Sequence, residues 1–201
     1  MSAVKPTRSP GRPLGGTRVV DREDILNAAE TVIRRDGAGA SLDAVAQEAG
    51  VTKPIVYDRV GGRAELANAL AERLADRMVV AASHSISGAN DRGGLATLIE
   101  ASLVTVAENR ELFLYVTSGS TEQTAVSRLY LAQRSAMPMA DALAKWRVSQ
   151  GLDPSVAVPW AYGIVGMLQM VSLWWITQDD DSAAQVASQM AQLLAPGLGN
   201  V

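Results

Sequence analysis

The 201 residues are enough for one large domain or for a small one joined to a larger, and an apolar fraction of 48% supports a true core. The absence of cysteine excludes disulfides and thiolate chemistry, and a zinc site would have to rely on one histidine and carboxylates. The net charge of −3 conceals an asymmetry: residues 1–66 hold ten basic against nine acidic side chains, and residues 67–201 hold eight against twelve.

Residues 1–20 carry Lys5, Arg8, Arg12 and Arg18 and no acid, in a background of Pro, Gly and Ser. Such a segment cannot bury enough apolar surface to offset its ordering entropy, so a disordered basic tail is expected, suited to a polyanion. Its Gly11-Arg12-Pro13 resembles the core of a minor-groove AT-hook, although Pro10 stands where the hook has arginine. A tail that adds affinity through counterion release accounts for the same residues. No apolar secretory segment stands at the front, and a cytoplasmic location is expected.

A first helix begins near Asp21, an N-cap, with Ile25, Ala28, Ala29, Val32 and Ile33 on one face and Gly37 as its stop. Ser41 caps a second, with Leu42, Val45, Ala46 and Ala49 inward and Gly50 at its end. Thr52 caps a short third, with Pro54 in its first turn and Ile55, Val56 and Val60 as its apolar side. After Gly61 and Gly62, Leu66, Leu70, Leu74 and Met78 predict a long helix over about 63–85. Further helices are expected over about 95–109, 121–150 (around Pro138), 155–178 and 182–195, with an aromatic stretch at 112–116. No segment alternates as a strand would, so the fold class is all-α, with about nine helices.

Two helices joined by a tight glycine turn, the second short and capped, describe a helix-turn-helix. Alone, the spacing of Ala46, Gly50 and Val56 fits an ordinary helical hairpin as well. The longer stretch "REDILNAAETVIRRDGAGASLDAVAQEAGVTKPIVYDRVGGRAEL", Arg22 to Leu66, closely resembles the N-terminal domain of the TetR family of transcriptional regulators. The resemblance implies a helix-turn-helix DNA-binding domain over 21–66 and a helical ligand-binding and dimerisation domain over 67–201. It also implies a homodimer on an inverted-repeat operator in double-stranded DNA, with a small-molecule effector as a further partner.

Thr52, Lys53 and Pro54 resemble the start of the family's recognition helix. Tyr57 matches its phosphate-touching tyrosine, and Arg63 stands where a phosphate-contacting lysine is usual. Arg59 and Val60 replace a His-Phe pair, and Gly61-Gly62 makes a looser hinge. The expected DNA-binding set is Arg12, Ser41, Thr52, Lys53, Pro54, Tyr57, Arg59 and Arg63, in which Lys53 and Arg59 can read guanine.

Between Asp153 and Asp179 there is no charge. The segment is long enough for a bilayer, but a helix apolar all round is equally suited to burial between a core and a partner subunit. Gln169 and the acidic flanks favour burial, so no membrane is expected. Gly163 and Gly166 would admit another helix, and the resemblance implies that the last two helices form the dimer interface. Asp179, Asp180 and Asp181 read as a solvated helix cap.

Candidate pocket residues are Phe113, Tyr115, Tyr130, Trp146, Tyr162, Met167 and Met170, with Arg128, Gln133, Arg134 or Gln169 as a polar anchor. The same side chains at helical spacing are more often plain core. There is no P-loop, no dinucleotide fingerprint and no G-x-S-x-G, and His84 has no evident catalytic partner. No enzyme activity, cofactor or metal is expected.

Overall fold

The computed structural model describes residues 20–86, 92–118, 122–178 and 182–199. Among them the regular elements are nine α-helices and two short 3-10 turns. The basic tail with Arg12, the turn at Asn90 and the acids Asp179 to Asp181 lie outside the described residues.

Helix α1 (Arg22–Asp36) starts as expected: the Asp21 carboxylate accepts the Asp24 N–H at 2.9 Å, and Asp24 accepts the Asp21 N–H at 3.1 Å. This reciprocal box satisfies two of the N–H groups a helix start leaves unpaired. Gly37, at φ 57°, ends the helix in a conformation that a side chain would disfavour. Helix α2 (Leu42–Glu48) and α3 (Lys53–Val60) follow, joined through Gly50 at φ 67°. Val45, Ala46, Val56 and Val60 are buried against Ile25, Ala29, Val32 and Ile33 of α1.

Ile55, expected on the apolar side of α3, is 39% exposed. Val56 and Val60, four apart, complete the buried face of this short helix, and Ile55 lies about 100° round from Val56.

Helix α4 (Arg63–Ile86) buries Leu66, Leu70 and Leu74 in the same core. That core continues into α6 (Arg110–Thr117) through Leu112, Phe113 and Val116, and reaches Leu131. One apolar cluster therefore joins the helix-turn-helix to the body, and each fully buried Leu or Ile in it contributes about 1.5–3 kcal/mol. Helix α5 (Arg92–Glu108) stops at Asn109, and the aromatic stretch at 112–116 belongs to α6.

Helix α7 (Glu122–Ser149) runs through Pro138 without interruption, although a proline there supplies no N–H to the carbonyl of Arg134. A 3-10 turn at Pro154–Val156 leads into α8 (Ala157–Trp175), and α9 (Ala183–Gly199) closes the described chain. Helix α4 packs on α5 and α7, α7 on α8, and α5 on α9. A second core joins Ile99 and Leu103 to Ile164, Leu168, Val186, Ala187 and Ala191. Leu193 of α9 is exposed.

Candidate functional site

Helix α2 is capped by Ser41, whose hydroxyl accepts the Ala44 N–H at 3.2 Å. The turn after it closes with the Val51 N–H on the Ala46 carbonyl at 2.9 Å, which fixes how α3 leaves α2. Thr52 stands at the N-cap of α3, but its side chain makes no capping bond. Its hydroxyl and the Lys53 N–H are therefore open to an anion, the Ile55 and Val56 N–H groups being bonded to the Thr52 carbonyl. Pro54, at the start of the helix, has no N–H to leave unsatisfied.

Tyr57 is 50% exposed, and Arg59 lies 3.7 Å from Asp58 and is otherwise turned outward. Lys53 is occupied: its ammonium sits 2.9 Å from Asp43 on α2. The hydrogen bond to Asp43, then its charge, raises the Lys53 pKa and keeps the lysine cationic. Lys53, Ile55, Tyr57 and Arg59 thus share the exposed part of α3, a mixed cationic and apolar surface of the kind that meets phosphates, base edges and thymine methyls.

Arg63 takes a different place. Its guanidinium donates to the carbonyls of Ala40 at 3.1 Å and Ala38 at 3.4 Å, and lies 5.5 Å from the centre of the Tyr115 ring. Burial pushes the Tyr115 hydroxyl pKa up, and the Arg63 charge opposes this. Arg63, expected at DNA, and Tyr115, expected in a pocket, together tie the start of α4 to the turn after α1 and to α6.

The junction between α3 and α4 is tightly specified. Gly61 has φ 82° and ψ −156°, a region essentially reserved for glycine, and an added Cβ would come within 2.8 Å of the Glu65 side chain. Glu65 also accepts the Gly62 N–H at 2.9 Å. The expected loose hinge is a built turn.

Helix α1 is held to α4 by an ion network that the apolar spacing does not reveal. Arg77 donates to both oxygens of Glu30 at 2.7 Å and to Asn109 at 2.8 Å. Arg73 reaches Glu30 at 3.2 Å and Asn27 at 2.9 Å, and also pairs with Glu23. The available signal is that Arg73 and Arg77 are four apart, each three residues after a buried leucine, Leu70 or Leu74.

In the body, α4, α5, α7 and α8 line a partly open cavity of about 400 Å³, with Phe113 of α6 in its wall. Phe113, Trp146 and Gln169 line it as expected, and Gln169 donates to the Arg128 carbonyl at 3.5 Å. Tyr130 and Arg134 border a separate depression between α4 and α7, where Arg134 lies 3.5 Å from Glu72 and 3.3 Å from Asp76. Tyr162 and Met170 point outward from α8, and neither Met167 nor Arg128 is among the described lining residues. Much of the wall is built from Met78, Leu98, Ser102, Ser135, Met139 and Leu143.

Residues 25–70 match the family model for bacterial regulatory proteins, tetR family. Residues 25–70 therefore carry an N-terminal domain of the tetR-family type. The chain is 24% identical over 178 residues to an HTH-type transcriptional regulator of Mycobacterium tuberculosis, covering 88% of this chain and 76% of that one. Among solved structures it is similar to the TetR-family repressor AlkX from a Dietzia species, implicated in biodegradation of n-alkanes. There the TM-score is 0.64 at 20% identity, over 89% of this chain and 97% of that one. It is also similar to the transcriptional regulator FadR from Bacillus subtilis, solved in complex with stearoyl-CoA, with a TM-score of 0.65 at 16% identity over 87% and 98% of the two chains.

At these identities the structural likeness is one of fold. The match over residues 25–70 gives the chain an N-terminal helix-turn-helix module of this type, and the curated relatives are HTH-type transcriptional regulators. The segment Pro154–Trp175, containing α8, is long and apolar enough to cross a membrane by length and composition. Yet Ala157, Ala161, Ile164, Leu168 and Ser172 are buried within the helical body, which leaves one apolar stripe outward.

Proposed function

We propose that this protein is a homodimeric repressor of the TetR family that an apolar small molecule releases from an inverted-repeat operator in the cytoplasm. The observation that carries this is the pairing of two features along α4. The exposed face of α3, with Thr52, Lys53, Tyr57 and Arg59, is held at one end, and the cavity touches Met78, Val79 and Ala82 toward the other. Pro54 and Ser41 set the helix starts that present this face to phosphate, and Arg12 of the basic tail adds affinity.

Val158, Tyr162, Met170 and Trp174 form the exposed stripe of α8, and none of the described residues fills the space beside Gly163 and Gly166. This supports a second copy of the chain packing there. Two recognition helices about 34–36 Å apart would then read half-sites one helical turn apart. That FadR was solved with stearoyl-CoA supports the assignment of the cavity to a ligand with a long apolar portion.

Incubating the full-length protein with sheared genomic DNA, and sequencing what it retains, tests the proposal. An enriched inverted repeat is the expected result. No enrichment from a folded dimer at moderate salt would point to a helical ligand- or protein-binding module that does not bind DNA.

A further inference from the structure

We infer that the body cavity selects an uncharged amphiphile of medium length or longer, an apolar chain ending in one alcohol, ketone or ester oxygen, and discriminates against carboxylates and amines. The inference rests on the proposed effector role of this cavity and specifies the effector's chemistry.

None of the described lining residues carries a charge. An ionised head drawn into such a wall would lose its water without gaining a counter-charge, a cost that burial of the chain has to overcome. The polar groups on the wall are neutral: Ser102, Ser135 and Gln169. Two are already engaged, since the Ser102 hydroxyl donates to the Leu98 carbonyl at 3.1 Å and the Gln169 amide to that of Arg128 at 3.5 Å.

Ser135 differs. Its hydroxyl oxygen is buried and has no hydrogen-bond partner. A buried polar group without a partner is uncommon and costly, and a turn about χ1 toward the cavity would let a ligand oxygen satisfy it. Beside it, Leu98, Met139, Leu143 and Leu168 offer only apolar surface, and Trp146 adds its indole ring.

Volume sets a minimum length, since the cavity is partly open. A cavity of about 400 Å³ holds about a dozen water-sized groups at about 30 Å³ each. This corresponds to a chain of roughly ten carbons with its oxygen.

The test is calorimetric titration of the full-length protein with decan-1-ol, decan-2-one, decanoate and decylamine at neutral pH, each below its aggregation limit. The neutral pair is expected to bind at least about tenfold more tightly than either charged probe, given the cost of an unpaired charge. Ser135→Ala is expected to weaken the neutral pair by about threefold to tenfold, the worth of one hydrogen bond, and to leave decane binding unchanged. The variant removes only an unpartnered hydroxyl from a helix, so the fold is retained.

Decanoate or decylamine binding as tightly as decan-1-ol would overturn the head-group assignment and leave the effector role intact. An equal loss of decane binding in Ser135→Ala would overturn the role of that hydroxyl. Binding of no probe would overturn both the inference and the effector role. Neutral probes that bind but leave operator affinity unchanged would uphold the inference and remove only the release function.

Discussion

Glu30→Ala should loosen the helix-turn-helix from the body, and its size can be worked from the geometry. The Glu30 side chain is 12% exposed and bonded to Arg73, 19% exposed, and Arg77, 37% exposed. Removing one partner of a fully buried ion pair costs about 3–5 kcal/mol, because the other charge is left without compensation. Here the loss is smaller. Arg77 keeps Asn109 at 2.8 Å and is partly solvated, and Arg73 keeps Asn27 at 2.9 Å together with Glu23. A net loss of about 2–3 kcal/mol follows, with two guanidinium groups left facing each other.

For a chain of this size each kcal/mol corresponds to about 2–4 °C, so Tm should fall by about 4–12 °C. Urea unfolding followed by circular dichroism should show a lower midpoint at unchanged slope. A double-mutant cycle of Glu30→Ala with Arg77→Ala should give a coupling of about 1 kcal/mol or more. A loss below about 0.5 kcal/mol, within the range of ordinary surface substitutions, would refute the claim that this network holds α1 on α4.

Asp43→Asn should free Lys53 from its exposed ion pair and tighten binding to every duplex by up to about fivefold, as fluorescence anisotropy at two salt concentrations would register. Gly61→Ala should cost about 1–3 kcal/mol in urea unfolding and weaken operator binding, because the backbone there suits glycine and the Cβ would meet Glu65. Met170→Lys should leave the monomer folded, since Met170 is 61% exposed, but shift light scattering from dimer to monomer.

The helix-turn-helix was legible because its determinants are local. Asp21, Ser41, Gly37 and Gly50 act within a few residues of themselves, and the valines and alanines between them repeat at helical spacing. The contacts of Arg63 were not legible because its partners, the carbonyls of Ala38 and Ala40 and the ring of Tyr115, are tertiary neighbours that no local pattern announces. The pocket was half legible for a similar reason. Composition marks large apolar side chains but cannot say which surround empty space. On α7 the wall is phased by Leu131, Ser135, Met139, Ala142 and Trp146. Tyr130 and Arg134 are each one residue out of that phase, about 100° round the helix, and face the neighbouring depression instead.

Helix α4 is the member that both ends of the molecule share, and its continuity restricts how the proposed switch can work. It runs unbroken for 24 residues, with Leu66, Leu70 and Leu74 in the core beneath α1 and Met78, Val79 and Ala82 at the cavity. Arg73 and Arg77 clamp it to α1, and Glu72 and Asp76 receive Arg134 from α7. A change at the cavity must therefore reach α3 as a displacement of the whole rod, not as local unwinding.

The energy this requires is modest. Moving an equilibrium from 99:1 to 1:99 takes about 5.5 kcal/mol of differential binding, and only the difference between the two states counts. At about 0.8 kcal/mol per buried methylene, about seven methylenes excluded from the DNA-bound conformation would supply it. A chain of roughly ten carbons meets that demand only if most of its tail is expelled, so on the proposed mechanism the cavity must be nearly closed in the operator-bound form. Its open form would then be the one that tilts α4.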